Sequence, residues 1–412
     1  MNIPFYIICA LIIFTPLARG SVHPWATTII QALIIISAII LLLKKTTIPK
    51  TPMTKPITAI TILCAASFTF SPHKAFALEG MLMLLTYIMA FYITLASVRT
   101  RKQQRILLYT IIATAALISL IGILKRFGLN PSALWLYPDV GGLNHSLNSV
   151  AGVYVNRNHL AGFLEMAIPL LIILFITRQR PLETKLGLIC LTLFLITTQA
   201  FTLSRGGWIS TINAIIFIAA VLLTQKNFVH KKTILTISAG IVIISLFILA
   251  SLPVVERITT LTHQDPTDNI TSRMRYWKGT TLQIKENPFL GTGPSTFAQA
   301  FTPYQLPGYA NLPRHAHNDY LHFISEMGIL LIPVLIYTLF CFFRTGFKNL
   351  KSQSRQTRGF TLGAMAAIFA ILIHSFSDFN LNIPANAFAF TIIAALAFKP
   401  SESIRENLRP II

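Results

Sequence analysis

A chain of 412 residues that is 54% hydrophobic and only 11% charged differs from a soluble domain, in which about a quarter of the residues are charged. This composition excludes an ordinary soluble protein and indicates an integral membrane protein. The net charge of +21 does not indicate a nucleic-acid partner, because the basic residues fall into short clusters between apolar segments and form no single basic surface.

Twelve apolar segments approach the length of about 20 residues that crosses a bilayer as a helix. They are residues 3–18, 25–43, 57–71, 76–98, 106–124, 159–177, 186–203, 207–223, 233–252, 320–343, 360–377 and 383–398. The sequence therefore predicts an all-α polytopic membrane protein with about 12 transmembrane helices. The first segment has an alternative as a signal peptide, because Ala18-Arg19-Gly20 is a small-x-small site, although it lacks the basic region that precedes such segments.

Basic clusters orient these segments. They lie at 44–55, 99–105, 178–185, 226–232, 344–358 and 399–409, always in connections of the same parity, and hold 22 of the 34 Lys and Arg residues. By the positive-inside rule, both termini are predicted to be cytoplasmic. The expected organisation is one transmembrane domain over 1–412, with outer-face loops at 125–158 and 253–319 and a cytoplasmic tail at 399–412.

Two polar stretches border apolar segments on the predicted outer face. The first places Asn156, Arg157 and Asn158 before the sixth segment and Glu165 two turns inside it. The second, H-S-F-S-D-F-N-L-N, brings Asp378 to the outer rim between the last two segments. We expect these side chains to pair with arginines, to contact an acceptor substrate, or to give structural support.

Arg205 lies in a short hairpin, T-L-S-R-G-G-W, between two apolar segments. An arginine at such a depth costs about 2.5–3.5 kcal/mol and indicates a functional role by default. Gly206 and Gly207 remove side chains beside it, so that backbone or ligand can approach closely. The alternative is an arginine that only extends to lipid headgroups.

The 253–319 loop contains a predicted helix that Asn287-Pro288 ends. Arg273 lies one turn before Trp277, and Arg275 follows closely. The alternative for the basic residues is a surface helix that binds anionic lipid. The next segment, G-T-G-P-S-T-F, is glycine-rich but lacks the Gly-Lys-Ser/Thr ending of a phosphate-binding loop, so it is interpreted as a turn.

A polar cluster at 313–328, P-R-H-A-H-N-D-Y-L-H-F-I-S-E-M-G, precedes the segment at 320–343. Asn318 or Asp319 is a good helix N-cap, which places His317 beside a helix N-terminus that favours an anion. His315 and His317 also resemble half a metal site, but no further ligands of suitable spacing follow. We therefore expect no metal and no cofactor; a structural histidine pair is a further alternative.

Taken together, S-R-G-G-W at 204–208, S-R-M-R-Y-W with N-P-F-L-G-T-G-P at 272–294, and H-A-H-N-D-Y-L…E-M-G at 315–328 resemble the O-antigen ligase/O-antigen polymerase superfamily of bacterial membrane glycosyltransferases. The N-R-N-H-L-A-G and D-F-N-L-N-I-P-A-N-A stretches fit as well, so that the resemblance covers roughly 150–398. It implies an outer-face histidine as base, His317 with His315 as the alternative. It also implies that Arg205 and Arg273, with Arg275 as the alternative to Arg273, hold a lipid-linked diphosphate.

The activity that this resemblance implies is inverting transfer of a glycan from a polyprenyl diphosphate to an acceptor hydroxyl. Guanidinium groups bind phosphate bidentately without metal, and histidine, with a reference pKa of about 6.5, is suited to accept the hydroxyl proton. The acceptor is lipid A–core in a ligase, another lipid-linked glycan in a polymerase, and protein in a third branch. A lipid-linked sugar transporter and a lipid-binding scaffold are alternatives, although the polar residues gather at one rim and transporter sites lie at the midplane.

Overall fold

The structure is a computed structural model that describes residues 2–128, 149–176, 181–224, 240, 270–306 and 312–398. Within these ranges the secondary structure is helical, with no strand. Fourteen α-helices are described: α1 (Ile3–Leu17), α2 (Pro24–Leu43), α3 (Thr54–Phe70), α4 (Lys74–Ser97), α5 (Arg101–Arg126), α6 (Arg157–Ile176), α7 (Leu182–Phe201), α8 (Arg205–Thr224), α9 (Ile270–Glu286), α10 (Phe297–Ala300), α11 (Asp319–Met327), α12 (Leu331–Asn349), α13 (Arg355–His374) and α14 (Pro384–Ala397).

Eight of the described helices are long and apolar enough to cross a membrane, namely α2, α4, α5, α6, α7, α8, α12 and α13. Three shorter apolar helices, α1, α3 and α14, coincide with further predicted segments. The predicted all-α polytopic membrane class is therefore confirmed, and the number of 12 spans stays a prediction. The predicted segment at 233–252 lies outside the described residues apart from Gly240, as do the tail at 399–412 and most of the loop at 125–158.

The prediction of a single transmembrane helix over 320–343 is wrong, because this segment is divided into two helices. The nine residues of α11 are too few to cross a bilayer, and Gly328 ends this helix with a φ of +78°. A Cβ at Gly328 would lie 2.0 Å from the carbonyl oxygen of Phe289, so only glycine fits. Because the apolar run continues through the break, hydropathy did not reveal it.

Helices α6 and α13 form the centre of the bundle. Leu160, Phe163 and Leu171 of α6 are almost completely buried, and Gly363 of α13 lies close to Leu170 of α6. Outer helices instead expose large apolar side chains, as Leu43 of α2 does at 78%. A helix that is apolar on all sides is suited either to the bundle interior or to contact with lipid.

The two ends of the bundle differ in charge. At one end, the Gln356 side chain donates to the Arg101 carbonyl at 3.3 Å, and the Asn349 side chain donates to the Ala397 carbonyl at 2.9 Å. These connections carry the basic clusters at 99–105 and 344–358. Connections of the same predicted parity therefore lie together at one end.

The opposite end gathers the polar motifs. The Ser71 hydroxyl donates to the Thr292 carbonyl at 2.7 Å, and the Val150 amide donates to the Phe201 carbonyl at 2.9 Å. Helices α6, α8 and α14 begin here and α13 ends here, which brings their terminal residues together. This end contains the candidate site.

Candidate active site

Asp378 is the central carboxylate of this polar end. It lies in the connection between α13 and α14 and is 0% exposed. Its Oδ1 accepts the backbone N–H of Phe379 at 2.8 Å, and its Oδ2 accepts from the Asn158 side chain and lies 3.5 Å from Nη2 of Arg273. A buried carboxylate needs such partners, because desolvation penalises an unpaired charge.

The charge of Asp378 is maintained by its neighbours. Burial alone raises the pKa of this carboxyl, but His317 and Arg273 more than offset burial and lower the pKa to about 2. A nearby positive charge favours the ionised form of an acid. These neighbours therefore favour the ionised carboxylate of Asp378 at neutral pH.

Arg273 reaches the site from α9. Its Nη1 donates to the carbonyl oxygen of Ser377, next to the ion pair with Asp378, while its side chain stays 25% exposed. The side of α9 that faces the protein is polar, since Thr280 and Gln283 are fully buried while Met274 is 60% exposed. Because the polar side of α9 packs against the protein, one side of the Arg273 guanidinium group contacts Ser377 and Asp378 and the other side stays accessible.

His317 lies on the other side of Asp378. Its Nδ1 is 3.8 Å from Oδ1 of Asp378, an ion-pair distance longer than a hydrogen bond, and its side chain is 28% exposed. The ring stacks on Tyr276 of α9 at 5.9 Å, and the indole of Trp277 donates to the His317 carbonyl at 3.4 Å. His317 has a φ of +51°, an uncommon conformation for a residue other than glycine that is concentrated at functional sites.

His315 has a different environment. Its ring stacks on Phe379 with centroids 4.1 Å apart. Burial, together with His322 and His317, lowers the pKa of His315 well below its usual value. His315 therefore favours the neutral form and packs on Phe379, whereas the imidazole of His317 lies beside the carboxylate. Among the described residues, no three His, Cys, Asp or Glu side chains are grouped as metal ligands.

Asn318 and Asp319 anchor α11 to the connection between α13 and α14. Asn318 is the N-cap, accepting the Leu321 amide at 3.0 Å. Asp319 is buried and accepts from the side chains of Ser375 and Asn382, each at 2.8 Å. Burial raises the pKa of Asp319 to about 6 in spite of these hydrogen bonds. Both residues support the loop that carries His317.

Arg205 is the first residue of α8 and is exposed at this same end. Its neighbour Gly206 lies against His374 and Ser377, since a Cβ there would be 2.5 Å from the imidazole and 2.8 Å from the hydroxyl oxygen. Ser377 also accepts from Arg273. The first turn of α8 and the Arg273 guanidinium group therefore both contact Ser377.

The other predicted residues lie around this centre. Arg275 is exposed on α9, two residues after Arg273. Asn156 accepts the Asn158 amide at 2.9 Å and so helps to begin α6, of which Arg157 is the first residue. Glu165 lies deeper in the bundle, where it contacts His374 rather than an arginine.

Sequence reasoning missed several residues that shape the site. The sequence motif that contains His374 and Ser377 predicts no role for either residue. Phe379 packs between three histidines, His159, His315 and His317. A histidine and an acid inside apolar segments, as for His374 and Glu165, would have been the available signal.

The glycine-rich segment after α9 fastens helices together. A Cβ at Gly291 would lie 2.3 Å from the backbone of Glu326, and one at Gly293 would lie 2.3 Å from Ser71. The Gly293 amide donates to the Glu326 carbonyl at 2.9 Å. The interpretation of this segment as a turn is consistent with these contacts, which explain its glycines by close backbone approach.

Comparison with known proteins links this geometry to a family. Residues 187–336 match the family model described as O-antigen ligase. This range includes Arg205, Arg273 and His317, whereas Asn158 and Asp378 lie outside it. An uncharacterized protein of Haemophilus influenzae is 21% identical over 310 residues, which cover 70% of this chain and 72% of the relative. The resemblance of this chain to the O-antigen ligase superfamily is therefore confirmed by the family model over residues 187–336.

Proposed function

We propose that this protein is a metal-independent inverting glycosyltransferase of the O-antigen ligase type. It moves a glycan from a polyprenyl diphosphate to a hydroxyl group of lipid A–core or of another surface glycan. Its site lies on the periplasmic face of the inner membrane, and its role is in lipopolysaccharide or surface polysaccharide biosynthesis. The donor, the acceptor and the surrounding membrane lipids are its partners.

One observation carries this proposal: Arg273 and His317 meet on the same buried carboxylate, Asp378, at the polar end of an apolar bundle. A cation for the leaving diphosphate and a base for the acceptor are the two groups that this transfer needs. The N-terminus of α8, which begins with Arg205, lies one residue away at Ser377. The family match over residues 187–336 supports the same class of reaction.

In the proposed step, the acceptor oxygen attacks the anomeric carbon and forms the new glycosidic bond. The bond from that carbon to the diphosphate oxygen breaks, and polyprenyl diphosphate leaves with the electron pair. His317 takes the hydroxyl proton, and its imidazolium is stabilised by Asp378. Arg205 and Arg273 hold the negative charge that grows on the departing phosphates.

The distribution of charge supports the periplasmic location. The end opposite the site carries the basic clusters at 99–105 and 344–358, which the positive-inside rule assigns to the cytoplasm. Because the acceptor oxygen attacks one face of the anomeric carbon and the diphosphate departs from the opposite face, the reaction inverts the configuration of that carbon. Because all these groups lie at one end of the bundle, they favour an enzyme over a transporter with a midplane site.

A repeat-unit polymerase of the same superfamily is the second candidate, since it needs the same donor chemistry and differs in the acceptor. Deletion of the gene followed by gel analysis of lipopolysaccharide distinguishes the two. A bare core is expected if the ligase is lost, and a core carrying one repeat if a polymerase is lost. Unchanged lipopolysaccharide would contradict both and point to another glycan or to transport.

A further inference from the structure

A buried acid–imidazole pair lies beneath the candidate site. Nδ1 of His374, the last residue of α13, is hydrogen-bonded to Oε2 of Glu165 in α6 at 2.9 Å. The side chains are 1% and 0% exposed. A polar pair inside a membrane bundle is costly and marks a functional position by default. The proposed transfer assigns no role to either residue.

The imidazole of His374 also contacts the start of α8. Its Cδ2 and Nε2 face Gly206, where an added Cβ would lie 2.5 and 2.6 Å from these atoms. The Ser377 hydroxyl oxygen closes the same position at 2.8 Å. The position of the ring therefore limits how closely the first turn of α8 approaches α13.

Arg205 immediately precedes this contact. As the first residue of α8, it moves with Gly206, and Gly206 packs on Ser377, whose carbonyl accepts from Arg273. A shift of the imidazole would therefore displace Gly206, and Arg205 with it, relative to Ser377.

We propose that Glu165 and His374 are positioning residues for Arg205. The carboxylate of Glu165 fixes the orientation of the His374 imidazole, and the imidazole determines the position of Gly206. Arg205 is thereby held beside Arg273 to bind the donor diphosphate. This inference rests on the proposed function, in which Arg205 contacts that diphosphate. Neither positioning residue contacts the substrate.

The test measures the Kd of a polyprenyl diphosphate without a glycan for the full-length protein in lipid nanodiscs. Glu165→Ala, which removes the partner of the ring, and Gly206→Ala, which displaces α8, are each expected to weaken binding about tenfold, as loss of a charge-assisted contact does. Glu165→Gln keeps an acceptor oxygen for His374 and is expected to bind within about threefold of the wild type. Gly363→Ala is the matched control.

Gly363 also lies between α13 and α6, but an added Cβ there meets Leu170 at 3.2 Å, away from α8. Gly363→Ala is expected to bind as the wild type does. If it weakens binding as much as Gly206→Ala, general disturbance of the α6–α13 contact explains the effect and the positioning role is rejected. Size-exclusion profiles establish that each variant is folded. If Glu165→Ala is not folded, the binding constant of Gly206→Ala alone decides the test.

A double variant separates this inference from the proposed function. Adding Glu165→Ala to Arg205→Ala is expected to cause no further loss, because a residue that acts through Arg205 has no effect without it. Full additivity, or wild-type binding by both Glu165→Ala and Gly206→Ala while Arg205→Ala fails, overturns the positioning role alone. Wild-type binding by Arg205→Ala overturns the assignment of Arg205 in the proposed function instead.

Discussion

At the scale of single residues, two neighbouring histidines differ in what they can do. His317 is 28% exposed beside the Asp378 carboxylate, whereas His315 stacks on Phe379 and has a strongly lowered pKa. We expect His317→Ala to reduce glycan transfer about 10²–10⁴-fold, the usual contribution of a general base. His315→Phe, which keeps an aromatic ring on Phe379, is expected to retain most of the activity.

Transfer is measured with purified variants and a lipid-linked glycan donor, with membrane insertion checked for each. Near-normal transfer by His317→Ala would show that another group removes the acceptor proton.

The guanidinium shape is a second property of the residue scale. Arg273 contacts both the Ser377 carbonyl and the Asp378 carboxylate, which the point charge of a lysine cannot reproduce. We expect Arg273→Lys and Arg205→Lys each to lower transfer at least about tenfold. Arg275→Lys, two residues away and exposed, is the matched control and is expected to stay near wild type. Equal losses of transfer for Arg273→Lys and Arg275→Lys would contradict the choice of Arg273 over Arg275 as the diphosphate-binding residue.

Asp319 predicts a pH dependence of stability. Its pKa rises from 3.8 to about 6 on folding, so the unfolded chain loses this proton first as the pH increases. Protonated Asp319 therefore contributes to the free energy of unfolding. This contribution is complete below about pH 4 and is lost as the pH approaches 6, a change of about 3 kcal/mol.

Thermal unfolding of detergent-solubilised protein between pH 4 and 6.5 tests this effect. The stability difference between Asp319→Asn and the wild type is expected to change over that range. A constant difference for Asp319→Asn would refute the assignment.

At the scale of secondary-structure elements, the break between α11 and α12 depends on one glycine. Gly328→Ala would force a φ of +78° on alanine and bring its Cβ 2.0 Å from the Phe289 carbonyl. We expect a loss of at least about 2 kcal/mol of stability. Gly187→Ala in α7, where no atom lies within 4 Å, is the control and is expected to gain about 0.5–1 kcal/mol.

Melting temperatures of the two glycine variants in the same detergent provide the measurement. Similar melting temperatures for both would mean that the break does not depend on the conformation of Gly328.

At the scale of the whole molecule, the site and the basic clusters at 99–105 and 344–358 lie at opposite ends of the bundle. Lys278 of α9 and Lys351 after α12 are exposed at these two ends. In a background without the four native cysteines, we expect Lys278→Cys to react with a membrane-impermeant maleimide in intact spheroplasts. Lys351→Cys is expected to react only after permeabilisation. The reverse pattern would invert the orientation and contradict a periplasmic site.

Much of the fold followed from local signals in the chain. Ten of the twelve predicted segments each coincide with one described helix, because a run of apolar residues is itself the property that a bilayer selects. The N-cap role of Asn318 was predicted as one of two choices, because capping depends on neighbouring residues. The break at Gly328 was missed, since its cause is the carbonyl of Phe289 in another segment.

The sequence by itself determined the membrane class, the parity of the connections and the motifs that carry the candidate arginines and histidines. Only the tertiary structure decided that Asp378 joins Arg273 to His317 and that Glu165 pairs with His374. The residues of the first ion pair are 105 positions apart, and those of the second are 209 apart. Hydropathy and helix periodicity act over a few turns, whereas partners at such separations are chosen by the packing of the whole bundle.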